Sequence, residues 1–191
     1  MTAPDKKSIR QKAFLLRDSI TPELRLFKNG EIKKNLLALD AFDKAETVML
    51  FASFRSEVDT FDIIKHCISI GKKTILPKAD KDNCGLLLYE IENIGELEKG
   101  YFGILEPKVA DERLTPKEKL DFIVVPGAAF DARCNRVGYG KGFYDRLLIQ
   151  RTAPAFALAY EEQIFDSVPV DKYDVRLDGI ITDERVISCD G

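Results

Sequence analysis

Thr47-Val48-Met49-Leu50-Phe51-Ala52 is the stretch on which the fold turns. It carries no charge, it is too short for an ordinary helix, and its apolar residues do not alternate with polar ones. A strand of this kind is buried on both faces, which places it in a mostly parallel sheet covered by helices. Downstream, Thr60 is placed to cap a helix that Gly71 ends, and Lys73-Thr74-Ile75-Leu76 reads as a second strand stopped by Pro77. Leu86 to Ile91 is a third strand, and Phe122-Ile123-Val124-Val125 a fourth, stopped by Pro126-Gly127. Gly142 to Gln150 reads as a helix, and Ala155 to Ala159 and Gly179-Ile180-Ile181-Thr182 as later strands. Upstream, Asp5 to Arg17 is a helix with Ile9, Ala13 and Leu16 on one face and Lys6, Arg10 and Arg17 elsewhere. Thr21-Pro22-Glu23 starts another that runs toward Leu39, with Gly30 either a break or a tolerated glycine.

The expectation is a single α/β domain over residues 1–191, an open, mostly parallel sheet with helices on both faces. Ligands of such sheets bind beyond the carboxyl ends of the strands. That rule points to Ser53 to Glu57, Pro77-Lys78, Pro126 to Asp145, and Tyr160-Glu161.

Composition narrows the partners. The chain is 45% hydrophobic and 32% charged with a net charge of -3, so no general basic field exists to draw in nucleic acid or an anionic membrane. An anionic ligand must meet locally clustered Lys and Arg. Cys67, Cys84, Cys134 and Cys189 include no CxxC and no metal-ligand spacing, which argues against a disulfide framework or zinc site and for a reducing cytoplasm. The charged N-terminal stretch lacks the apolar core of a signal peptide, and no stretch approaches membrane-spanning length. His66 sits beside Cys67 on a predicted helix, where neighbours point apart, so no Cys–His pair is expected.

The chemistry concentrates in Pro126-Gly-Ala-Ala-Phe-Asp-Ala-Arg-Cys-Asn-Arg-Val-Gly-Tyr-Gly-Lys-Gly-Phe-Tyr-Asp145, between a strand and a helix. Gly138, Gly140 and Gly142 let the backbone approach a ligand and expose its amides. Arg136 and Lys141 add positive charge, and the following helix adds its N-terminal dipole. The Gly-x-Gly-x-Gly spacing is neither the dinucleotide fingerprint nor a P-loop. By itself the loop reads equally as a flexible surface turn.

Taken whole, this segment resembles the signature of the 5-formyltetrahydrofolate cyclo-ligase family through Pro126, Gly127, Phe130, Asp131, Arg136, Gly138, Gly140, Gly142, Tyr144 and Asp145. Lys6 and Arg10, Ser56 to Thr60, Gly103 to Pro107 and Val168 to Asp174 resemble other family segments in the same order. Cys134 stands where the family commonly has glycine, which suggests a positive φ that Asn135 is expected to absorb. Phe143 replaces the first Tyr of a pair.

The resemblance implies an enzyme that uses ATP and Mg²⁺ to cyclise 5-formyltetrahydrofolate to 5,10-methenyltetrahydrofolate, releasing ADP and phosphate. It implies ATP contacts from Lys6, Arg10, Arg136, Gly138, Tyr139, Gly140, Lys141, Gly142, Phe143 and Tyr144. Folate contacts are expected from Phe54, Glu57, Tyr139, Gly140 and Lys141, with Lys141, Arg136 and Glu57 carrying the chemistry. Asp145 and Asp174 are the expected metal ligands, and Phe54, Tyr101 and Phe102 candidate walls for flat rings. Each has a plainer reading: Lys6 and Arg10 as a solvated basic patch, Glu57 as a helix cap, Asp145 as an acid answering a helix dipole, the aromatics as core. A regulatory domain that binds a nucleotide without turnover, or a sugar-phosphate or CoA enzyme on a similar sheet, are the competing classes.

Overall fold

The computed structural model describes residues 5–189. Residues 1–4 and 190–191, part of the single-domain reading of residues 1–191, lie outside them. The chain opens with α1 (Lys6–Asp18), α2 (Pro22–Leu37) and α3 (Asp40–Lys44), then β1 (Thr47–Met49), α4 (Phe61–Ser69), β2 (Lys73–Asp80) and β3 (Gly85–Ile91). A ribbon of β4 (Leu97–Lys99) and β5 (Leu105–Pro107) precedes β6 (Phe122–Val125), β7 (Ala129–Asp131) and β8 (Arg136–Val137). It closes with α5 (Phe143–Leu148), β9 (Ala155–Leu158), β10 (Ile164–Phe165), β11 (Gly179–Ile181) and β12 (Val186–Ser188).

The main sheet has the order β12-β11-β9-β6-β1-β2-β3. Its five inner strands are parallel, and β3 and β12 pair antiparallel at the two edges. The uncharged stretch at Thr47 thus lies at the centre of the sheet. Alternate residues face opposite layers: Val48, Phe122 and Val124 meet α2, α3 and α4, whereas Met49, Ile123 and Val125 meet Leu147 and Leu148 of α5. A small sheet, β10-β7-β8, carries α1 through Ile9, Ala13, Ala129 and Val137.

Several local expectations need correction. The Thr47 strand ends at Met49 by pairing, although Leu50 still donates to the Ile75 carbonyl at 2.9 Å. Pro77 does not stop β2. The Ile75 carbonyl faces β1, so Pro77, two residues on, turns its missing donor toward the same side, where β1 has already ended. Thr60 precedes α4 without capping it; its hydroxyl donates to the Phe51 carbonyl, and Asp59 accepts from Phe61 N at 2.9 Å instead. Gly30 sits inside an unbroken α2. Leu16 is 37% exposed, and Arg17, at 5%, takes the buried position on α1. The helix after the glycines spans only Phe143–Leu148, which limits its dipole.

Cys134, not Asn135, takes the left-handed conformation, at φ 61. The turn holds this shape because the buried Asp131 carboxylate accepts from Arg133 N (3.0 Å), Asn135 N (3.2 Å) and Val168 N (3.1 Å). The expectation of unpaired cysteines is also overturned for one pair: Cys134 and Cys189 are disulfide-bonded, while Cys67 and Cys84 are free. The bond joins residues 55 apart in sequence, a distance over which spacing reveals no partner.

Candidate active site

Beyond the carboxyl ends of β1, β2 and β6 the chain leaves a cleft of about 1420 Å³. Three of the four loops indicated by topology line it: Ser53 to Glu57 in part, Pro77, and the segment from Pro126 to Asp145. The fourth does not. Glu161 is engaged by Arg185 and Thr182, away from the cleft. The remaining walls come from α1 and from Tyr101, Phe102, Leu105 and Glu106.

On the cradle side, Gly138 packs against Arg136, and a Cβ there would lie 2.9 Å from the guanidinium. Gly140 has φ +96, a conformation L side chains rarely adopt, and it turns Lys141 outward as an exposed cation. The Lys141 ammonium lies 5.8 Å from the Phe102 ring. Arg10 donates from Nε to the Gly138 carbonyl at 2.9 Å, tying α1 to the loop. Lys6 pairs with Asp171 at 2.8 Å and with Asp174 at 2.5 Å. Burial works against its charge, but the two carboxylates outweigh burial and raise the ammonium pKa. Lys6 and Arg10 are therefore not a solvated patch.

Arg136 is more buried than its position beside the glycines suggested, at 4% exposure. It donates to Asp145 at 2.8 Å and to the Pro126 carbonyl at 3.2 Å, and its Nε is buried without a partner among the described residues. Asp145 also accepts from Val175 N at 3.4 Å. It is thus neither a free first-turn acid nor an isolated carboxylate but half of an ion pair at the cleft wall. Asp174, close only by resemblance in the sequence, is brought to the same cleft by Val175 and Lys6.

Across the cleft, the Glu57 carboxylate accepts from Phe54 N at 2.8 Å within its own loop and caps no helix. Burial pushes its carboxyl above the usual carboxylate range, against the opposing pull of the Tyr139 hydroxyl, the Phe54 amide and the Arg17 charge. A half-buried acid with perturbed acidity, facing open space, marks a functional site. Burial, then the Glu57 charge, likewise makes the Tyr139 phenol harder to ionise. Tyr101 and Phe102 pack tilted at 46° with centroids 4.2 Å apart, and Phe143 lies 6.4 Å from Tyr101. With Phe54 these rings line the cleft and are not core. Every residue singled out from the sequence for ligand or metal lines this one cleft.

Sequence reasoning missed Arg17, Asp171 and Glu106 as lining residues. Arg17 had a signal: Lys6, Arg10 and Arg17 recur at spacings of four and seven on α1, which keeps them on one face. Asp171 lay in the Val168 to Asp174 segment that carries part of the resemblance, but only the folded chain sets it beside Lys6.

Comparison with known proteins gives the family. The sequence model of the 5-formyltetrahydrofolate cyclo-ligase family matches residues 2–183. The chain is similar to the Escherichia coli (strain K12) 5-formyltetrahydrofolate cyclo-ligase, 31% identical over 93% of this chain and 98% of that protein. It is 28% identical to the Mus musculus protein of the same name, over 96% of each chain. In structure it is similar to the Aquifex aeolicus 5,10-methenyltetrahydrofolate synthetase, with TM-score 0.87, 33% identity and coverage of 97% of this chain and 94% of that one.

Proposed function

The chain belongs to the 5-formyltetrahydrofolate cyclo-ligase family, and from that premise we propose that it converts 5-formyltetrahydrofolate to 5,10-methenyltetrahydrofolate with ATP. One observation supports this above the others: a single cleft holds a glycine loop with cations on one side and the half-buried Glu57 carboxylate on the other. A phosphate-binding module has no use for the second feature.

The reaction needs ATP because a formamide oxygen is a poor leaving group. The terminal phosphoryl group passes to the formyl oxygen, forming one P–O bond as the bond to ADP breaks. N10 then attacks the formyl carbon, its N–H proton is released, and the C–O bond breaks as phosphate departs. Such chemistry asks the protein chiefly to align two anions and to neutralise charge. Lys141, Lys6 and Arg10 are the cations we assign to the phosphates, with the loop amides beside Gly138, Gly140 and Gly142. Tyr139, Phe143 and Tyr144 complete that wall. Arg136 acts from behind it: buried, it fixes Asp145 and keeps one N–H unspent. Ionised Glu57 accepts N–H donors of the pterin, and Phe54 covers the ring.

Asp145 and Asp174 are the residues we assign to Mg²⁺. They fit it in kind, as hard oxygen donors on one cleft wall. Among the described residues no three metal-ligating side chains cluster, which suits an ion that takes phosphate oxygens and water for the rest of its shell. When bound, Mg²⁺ offsets negative charge on the phosphates. Small-molecule substrates are its partners, and no helix among the described residues is long and apolar enough to cross a membrane. We place the chain in the cytoplasm, although the Cys134–Cys189 bond is of a kind rare in a reducing compartment.

Lys141→Ala tests the cradle. Loss of a charge-assisted phosphate contact is expected to cost about 1.5–3 kcal/mol, or roughly ten- to hundredfold in affinity for a non-hydrolysable ATP analogue. Folate affinity without nucleotide is expected to fall less than analogue affinity, because Lys141 is only one of several folate contacts. Unchanged analogue binding, measured by calorimetry, contradicts the assignment.

A further inference from the structure

Arg17 lines the cleft between the two substrate walls and touches both. Its Nε donates to Ser56 Oγ at 3.0 Å, one residue before Glu57, and its Nη1 donates to Tyr139 Oη at 3.0 Å, between Gly138 and Gly140. The side chain is 5% exposed and stacks on Phe14, 5.2 Å from the ring centroid, and Phe14 in turn stacks on Tyr139. The Ser56 hydroxyl donates its hydrogen bond to Asp18, so its oxygen is set as an acceptor toward Arg17. Arg25 braces the arrangement, donating to the carbonyls of Arg17 (2.7 Å) and Ser56 (2.5 Å).

The same helix reaches the glycine loop through Arg10 and the Asp171–Asp174 segment through Lys6. A helix moves as a rod, so Lys6 and Arg17, eleven positions apart and roughly 16 Å along the axis, cannot shift independently. Docking of α1 on one ligand therefore sets where the guanidinium fork stands. The fork has two prongs in a fixed plane, one for each loop. In the Ser53 to Glu57 loop, Arg55 holds the left-handed conformation at φ 55, uncommon for a residue other than glycine.

We propose that Arg17 is a positioning residue that couples the two substrate loops, so that a nucleotide on the glycine loop raises the affinity of the Ser53 to Glu57 loop for folate, and the reverse. This rests on assigning those loops to ATP and folate, and it goes beyond that assignment. The coupling is reciprocal by linkage, and a factor of about five or more is expected.

The test measures the dissociation constant of 5-formyltetrahydrofolate with and without a saturating non-hydrolysable ATP analogue and Mg²⁺, in wild type, Arg17→Lys and Ser56→Ala. Lysine keeps the charge but cannot serve both prongs. Ser56→Ala removes one acceptor and leaves Arg17 in place, which guards against a variant that merely unfolds. The expected result is a ratio of about five or more in wild type that falls toward one in both variants, with each ligand's affinity alone changed less than about threefold. A ratio that survives in either variant overturns the proposal. So does a parallel loss of both affinities with the ratio intact, which is what a purely structural arginine gives. Wild-type protein that binds both ligands without mutual effect overturns the coupling alone. Binding of neither ligand overturns the assignment of the cleft, and the coupling with it.

Discussion

Glu57 sits in a place that is poor for stability and suited to function. Its carboxyl is held above the usual range by burial, so it favours the fold most when protonated, at low pH. That contribution is lost as pH rises through its raised pKa, and at neutral pH the ionised group opposes folding. Glu57→Gln is therefore expected to raise the urea midpoint at pH 7, with the gain vanishing in acid. The Phe54 amide keeps an acceptor in the variant. Folate affinity should fall roughly ten- to hundredfold, as for lost bonds to a charged group. A variant with unaltered folate affinity removes Glu57 from the site. Arg136 and Lys141 part company in the same measurement. Arg136→Ala leaves Asp145 unpaired in a partly buried wall and is expected to cost about 3 kcal/mol in denaturant unfolding, whereas exposed Lys141→Ala stays within about 0.5 kcal/mol. Equal stabilities would mean that the Arg136–Asp145 pair does not hold the loop. At this scale the identities of the site residues could be read in the sequence because glycine spacing and charge are local. Their pairing could not: Lys6 with Asp174, and Arg136 with Asp145, are decided by where the chain returns.

The elements tell a similar story with a different cause. β6 and the extent of α1, though not its Leu16 face, matched their sequence patterns because the apolar runs and the Asp5 cap, whose carboxylate accepts from Ser8 N at 2.7 Å, act within a few residues. The small strands β7, β8, β10 and β12, of two or three residues each, carry too little periodicity to register. β2 ran past Pro77 because its neighbour ended first, a fact about β1 rather than about proline. The Cys134–Cys189 bond pins β12's end to the signature turn. Closing a loop of this length stabilises by roughly 4 kcal/mol on chain-entropy grounds. Denatured, unreduced protein is expected to show two free thiols, and four after reduction. Cys189→Ser should lower the denaturant midpoint accordingly. Four thiols before reduction would show that the bond does not form in solution.

Over the whole molecule, a net charge of -3 coexists with a cleft whose lining includes Lys6, Arg10, Arg17, Arg136 and Lys141. Segregating charge in this way lets an acidic protein hold polyanionic ligands without a general basic field. Parallel strands bring the carboxyl ends of β1, β2 and β6 to one edge, so loops far apart in sequence meet there, and α1 closes the side. The rule for open sheets located three of the four loops. It failed at Tyr160-Glu161, because Glu161 is tied to Arg185 and Thr182 at the rim of the sheet. The most direct measurement is the appearance of the methenyl chromophore when the purified chain meets 5-formyltetrahydrofolate. If the cleft joins ATP to folate as assigned, the chromophore forms only with ATP and Mg²⁺ together, and falls sharply in Glu57→Gln and Lys141→Ala. Chromophore formation at the same rate without nucleotide, or none with it, would contradict that assignment.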